Sequence, residues 1–84
     1  MKQISIKDYN PSLGKLIDIE PKEIYNQHHQ DGAINIPYET LLYNRDKLLN
    51  KNETYYIYCQ GGRKSKRAVN LLELYGFKVI QVLI

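Results

Sequence analysis

The stretch T-Y-Y-I-Y-C-Q-G-G-R-K-S, residues 54–65, decides how the rest of the chain is read. Thr54 to Tyr58 is β-branched and aromatic with no breaker inside it, the composition of a strand at the centre of a sheet. Cys59 ends that strand. Gln60, Gly61 and Gly62 make a turn, after which Ala68, Leu71, Leu72 and Tyr75 recur at i, i+3, i+4 and i+7 and predict an amphipathic helix. A buried strand passing through a glycine turn into a helix is the unit from which parallel α/β sheets are built.

Working outward, Gly76 is suited to follow the helix end, and Lys78 to Ile84 reads as a last apolar strand. Upstream, Gln3 to Ile6 is a short first strand. After the breaker Asn10-Pro11, Leu16 to Ile19 is a second, buried one. Pro21 opens a helix over Lys22 to His28, stopped before Asp31-Gly32, and Ala33 to Ile36 is a third strand closed by Pro37. Leu41, Leu42, Leu48 and Leu49 share a face and predict a helix over Glu39 to Leu49. The expected fold is α/β, a small central parallel sheet with helices over both faces. Alternation along residues 54–58 sends Tyr56 and Tyr58 to the same side of that sheet.

The chain has 84 residues, a size that fits one domain and excludes a multidomain enzyme. A single Cys forbids an internal disulfide and a Cys-based structural zinc site. No apolar run is long enough to span a bilayer, and the start M-K-Q-I-S-I-K-D-Y-N lacks a signal peptide's apolar core. A soluble, cytoplasmic, monomeric protein without membrane contacts is expected. Lys and Arg number 12 against 9 Asp and Glu, but four of the cations (Arg63, Lys64, Lys66, Arg67) fall within five residues. Without them the balance is 8 − 9 = −1, so the positive charge is a property of one segment.

Ligands of open parallel sheets bind beyond the carboxyl ends of the strands, where loops enter helix N-termini. Cys59 sits at such an end. Gly61 and Gly62 let the loop turn its N–H groups inward, and the first helical turn adds unpaired donors and partial positive charge. That setting stabilises a thiolate, the form of Cys that attacks. Cations at a helix start oppose its dipole by about 0.3–1 kcal/mol each, so something negative is meant to sit there: the thiolate, a bound oxyanion or a polyanionic partner. From these residues alone an unreactive Cys at a strand end, followed by a solvated basic helix face, stays equally open.

L-I-D-I at 16–19, the segment ending at His29, G-A-I-N-I-P at 32–37, Y-I-Y-C-Q-G-G-R-K-S at 56–65 and Y-G-F at 75–77 together resemble a single-domain rhodanese, in order and separation. The resemblance covers nearly the whole chain, 1–84. It implies a sulfurtransferase in which Cys59 takes a sulfane sulfur from a donor such as thiosulfate, holds it as a persulfide, and passes it to a thiol or cyanide. Gln60, Gly61, Gly62, Arg63, Lys64 and Ser65 would form the loop that binds the anion, with Arg67 helping to steer it in. No metal or organic cofactor is implied. A Cys-based phosphatase needs C-x5-R, and position 65 is Ser.

Three departures qualify the resemblance. Lys64 stands where the family commonly has Arg, which keeps the charge and loses the bidentate fork, lowering thiosulfate affinity. Asp18-Ile19-Glu20 replaces the frequent Asp-Val-Arg and puts an acid in place of a cation. Many members continue past the last strand into a closing helix, whereas this sequence runs to Ile84, either naturally short or cut there. The first two departures lean toward a persulfide-donor protein in place of thiosulfate. A non-catalytic binding module, docking an acidic protein or RNA on the Arg63–Arg67 turn, is the rival reading.

Other residues have simpler roles. Adjacent His28 and His29 point about 100° apart on a helix and do not chelate one ion easily. His29 is expected to make a structural hydrogen bond. Asp18 should pair with backbone donors and support the loop. The eight Tyr are strand and core residues, and a nucleic-acid partner is not expected.

Overall fold

In the computed structural model, which describes residues 1–84, five strands form one sheet: β1 (Gln3–Ser5), β2 (Lys15–Asp18), β3 (Ile34–Asn35), β4 (Thr54–Tyr58) and β5 (Lys78–Leu83). Their order is β1-β5-β4-β2-β3 and every pair is parallel, so β4 is central as its composition demands. Four helices connect them: α1 (Lys22–Gln27), α2 (Tyr38–Tyr43), α3 (Arg45–Leu48) and α4 (Arg63–Leu74), with a 3₁₀ turn at Ile6–Asp8. The α/β class, the parallel sheet and helices on both faces are all as expected.

The period of two along each strand divides the apolar residues into two cores. Ile17, Ile19, Tyr55, Ile57, Cys59 and Val79 face α2 and α4, where they meet Leu41, Ala68, Val69 and Leu72. Leu16, Tyr56, Tyr58 and Val82 face the other way, against Ala33, Tyr25 of α1, Ile6 of the 3₁₀ turn and Tyr9 just after it. Burying one such Leu or Ile contributes about 1.5–3 kcal/mol, so the larger core, on the Cys59 side, carries most of the hydrophobic stabilisation.

The structure corrects four element assignments. The helix expected over Glu39 to Leu49 is two, broken at Asn44 (φ −115°, ψ 22°). Asn44 bonds Thr40 O with both its backbone N–H and its side-chain Nδ2, and Arg45 Nη1 takes Leu42 O at 2.7 Å, so α2 is closed from outside. The buried stripe of α4 is Ser65, Ala68, Val69 and Leu72, while Leu71 and Tyr75 lie at its margin and stay partly exposed. Helix α1 ends at Gln27, with His28 as its extended cap. The third strand shrinks to two residues because it is an edge strand, paired on one side only and stopped by Pro37.

The end of α4 follows the Schellman pattern. Gly76, at φ +92°, donates to Glu73 O at 3.0 Å, and Phe77 donates to Leu72 O at 3.0 Å. This turns the chain directly into β5, which runs beside β4 and brings Gln81 under the start of α4.

Candidate active site at the carboxyl end of β4

Cys59 leaves β4 on the face covered by α4 and is 4% exposed. Its surroundings are set by Gly62, whose left-handed conformation (φ +82°, ψ −15°) begins α4. A Cβ there would meet nothing closer than Gln81 Nε2 at 3.7 Å, so backbone conformation, not space, is what calls for glycine. The turn brings the first turn of α4 back over the cysteine. Ser65 N–H donates to Cys59 Sγ at 3.3 Å, and Ser65 Oγ lies 3.4 Å from the same sulfur.

Ser65 is fully buried and is held from β5. Gln81 Nε2 donates to Ser65 Oγ and to Gly62 O, each at 2.8 Å, and Gln3 Nε2 of β1 donates to Gln81 Oε1 at 2.8 Å. Gln81 therefore uses both its N–H groups and its oxygen, which makes a buried amide affordable at a strand position that otherwise favours apolar residues. With Gln81 donating to Ser65 Oγ, the hydroxyl hydrogen has two acceptors in reach, Gly62 O at 3.2 Å and Cys59 Sγ.

The loop supplies donors. The backbone N–H groups of Gly61, Gly62, Arg63 and Lys64 find no acceptor within the protein, whereas that of Gln60 donates to Glu20 Oε2 at 2.7 Å. Glu20 is almost buried, and its second oxygen lies 3.7 Å from Lys64 Nζ. Arg63, Lys64, Lys66 and Arg67 are exposed, and of these only Lys64 has an acidic partner.

Beneath the loop, Asp18 is fully buried and fully used. Oδ1 accepts Glu20 N–H at 2.8 Å and Oδ2 accepts the Tyr58 hydroxyl at 2.6 Å. The Tyr58 hydroxyl also receives Gln30 N–H at 2.9 Å. Burial first, and then the hydrogen bond to Asp18, push the Tyr58 phenol well above its ordinary value. Asn35 Nδ2 donates to Glu20 O at 2.8 Å and to Asp18 O at 3.1 Å, fixing the turn after β2.

The residues singled out from the sequence thus divide into groups. Cys59, Gln60, Gly61, Gly62, Arg63, Lys64 and Ser65 form one loop and helix start, Asp18 braces it through Glu20, and Arg67 lies further along α4. His29 makes a structural bond, its Nδ1–H donating to Tyr25 O at 2.7 Å while its ring stacks on that of Tyr25. Gln81, Gln3, Tyr58 and Asn35 escaped the sequence reading. The one signal for Gln81 was a lone amide inside the apolar run V-I-Q-V-L.

The fold is a parallel α/β sheet that presents one cysteine in a glycine turn at a helix N-terminus, the kind of place where ligands of such sheets bind. Comparison with known proteins narrows this to a family. The family model for the rhodanese-like domain matches residues 3–84, and the chain belongs to that family. It is 35% identical over 69 residues to the thiosulfate sulfurtransferase PspE of Escherichia coli, a match covering 77% of this chain and 64% of PspE. It is 33% identical over 73 residues to the putative sulfur carrier protein YrkF of Bacillus subtilis, covering 87% of this chain and 38% of YrkF. The crystal structure of a rhodanese-like domain protein from Staphylococcus aureus superposes with a TM-score of 0.82 at 30% identity, covering 98% of this chain and 84% of that one. The chain thus spans under two thirds of the length of these two relatives. No helix is long and apolar enough to cross a membrane.

Proposed function

We propose that this protein is a sulfurtransferase in which Cys59 is the nucleophile and carries the transferred sulfur as a persulfide. The observation that carries this reading is the set of unpaired N–H groups from Gly61 to Lys64, in the segment between Cys59 and Ser65, whose own N–H already donates to the cysteine sulfur. A persulfide anion on Cys59 needs such donors around its outer sulfur. The Cys59 thiolate attacks the sulfane sulfur of the donor, the donor's S–S bond breaks, and its electron pair leaves on sulfite or on a thiolate. A thiol or cyanide then takes the outer sulfur and frees Cys59.

Arg63 and Lys64 draw the anion in, and Ser65 offers its hydroxyl to the sulfur when Cys59 is ionised. The relatives named as a thiosulfate sulfurtransferase and a sulfur carrier agree with this chemistry. A reducing compartment such as the cytoplasm suits it, because the cysteine must remain free.

Intact mass spectrometry of the unreduced protein tests the reading. One added sulfur after treatment with thiosulfate or a persulfide, removed by cyanide and absent in Cys59→Ser, is the expected result. A Cys59→Ser protein that still turns over, or wild type that gains no sulfur from any donor, overturns it.

A further inference from the structure

Glu20 places a nearly buried negative charge directly on the Cys59 loop. Its Oε2 accepts the N–H of Gln60, the residue next to the nucleophile, and its Oε1 faces Lys64 Nζ at 3.7 Å. The backbone that carries this side chain is held in place. Asp18 Oδ1 holds its backbone N–H and Asn35 Nδ2 holds its carbonyl, and from that fixed backbone the carboxylate reaches Gln60 N–H and Lys64.

We propose that Glu20 biases the Cys59 loop against small dianionic sulfur donors and toward organic persulfides of lower charge. This rests on the sulfurtransferase reading and names its donor class. Around the loop, the two positive charges of Arg63 and Lys64 face two negative ones, Glu20 and the Cys59 thiolate. A dianion such as thiosulfate gains no net attraction from these four groups, and it meets Glu20 with twice the repulsion that a monoanion does. Lys66 and Arg67 lie further along α4, exposed and more strongly screened by salt.

A second observation points to the same donors. Beside the loop, a cavity of about 430 Å³ is lined by Lys64, Ile19, Tyr38 and Thr40 together with the charged Lys22, Glu23 and Glu39. That volume is in the range that holds small organic ligands and exceeds anything an inorganic oxyanion needs. Lys64 lines both the cavity and the loop, so the organic part of a persulfide would sit there with its terminal sulfur reaching past Lys64 toward Cys59. Transfer balances without a further reagent. The Cys59 thiolate and R–S–SH give Cys59–S–SH and the thiolate R–S⁻, one S–S bond forming as another breaks.

Glu20→Gln keeps an acceptor for the Gln60 N–H and removes the charge. Its test is kcat/KM for loading Cys59 from thiosulfate and from cysteine persulfide, in both proteins, at low and high salt. Thiosulfate loading should rise about tenfold at low salt, the size Coulomb's law gives for a unit charge facing a dianion roughly 6 Å away in water. The thiosulfate-to-persulfide ratio should rise about threefold, because a monoanionic persulfide gains only half as much free energy, and the gain should shrink in high salt. Thr40→Trp, which fills the cavity, should slow persulfide loading at least fivefold more than thiosulfate loading. An unchanged ratio in Glu20→Gln, or equal slowing of both donors by Thr40→Trp, overturns the proposal. If neither donor loads Cys59, the sulfurtransferase reading itself fails, and thiosulfate titration of Cys59→Ser by NMR then decides the charge effect separately. Equal affinity with and without Glu20→Gln overturns that effect, and about tenfold tighter binding in Glu20→Gln upholds it.

Discussion

Gln81 Nε2 lies 2.8 Å from Ser65 Oγ, so the hydroxyl facing Cys59 is set by strand β5 and not by its own helix alone. The sheet thereby reaches into the site from below. Gln81→Met keeps the volume and removes both donors, so Ser65 Oγ and Gly62 O each lose one of their hydrogen bonds and the Gln3 amide loses its acceptor. Stability should fall by about 1–3 kcal/mol, read as a lower urea midpoint at unchanged slope. An unchanged midpoint would mean that water replaces the amide at no cost.

Ser65→Ala isolates the hydroxyl, because the backbone N–H to Cys59 Sγ remains. A hydrogen bond to a charged group contributes about 1.5–3 kcal/mol, so sulfur loading should slow by about tenfold or more at constant pH. Ser65→Thr, which restores the hydroxyl, should recover most of the rate. If Ser65→Ala loads as fast as wild type, the N–H groups alone hold the thiolate.

Much of this site was legible in the sequence because its parts are local. The run T-Y-Y-I-Y, the double glycine and the basic helix start are neighbours, and each has a physical meaning within a few residues. Gln81 and Glu20 act instead across 16 and 40 residues, and no local pattern reports such partners. Glu20 was noticeable as an acid where a cation is common, but its bond to Gln60 N–H follows only once β2 and β4 lie side by side. The helix over Glu39 to Leu49 failed for a local reason. Asn44 competes for the carbonyl of Thr40, which outweighs a leucine spacing that would suit one continuous helix.

Tyr58 and Asp18 give the fold a pH dependence. Burial and the Asp18 hydrogen bond hold the Tyr58 phenol above its ordinary 10.0, so above that pH the unfolded chain loses the proton first. Stability from this group is complete below about pH 10 and falls as pH rises, by about 1.4 kcal/mol per unit while only the unfolded phenol ionises. Tyr58→Phe should remove that part of the slope. It should also cost about 1–3 kcal/mol at neutral pH, because Asp18 Oδ2 and Gln30 N–H each lose a partner. Equal alkaline slopes in the two proteins would assign the effect elsewhere.

The two loop glycines should behave differently. Gly62→Ala forces a side chain into φ +82° and should cost about 1–2 kcal/mol, measured by thermal or urea unfolding. Gly61 has no positive φ and nothing within 4 Å of an added Cβ, so Gly61→Ala should stay within about 0.5 kcal/mol of wild type. Equal losses would show that crowding of the loop, and not the left-handed turn, governs both positions.

Lys64 and Arg67 separate catalysis from docking. Lys64 is half-exposed and its pairing with Glu20 is long, so Lys64→Gln should change stability by less than about 1 kcal/mol. Its charge stands at the loop, however, and thiosulfate loading should fall several-fold at low salt, with a flatter salt dependence than wild type. Arg67→Gln, one position beyond Lys66 and without an acidic partner, should have a smaller effect on loading. The opposite order, with Arg67 dominant and both losses present in a Cys59→Ser background as lost binding of an acidic protein, would move the function from sulfur transfer to a docking surface on α4. Cys59 would then be only the buried end of β4, and the unpaired N–H groups of the loop would need another anion to explain them.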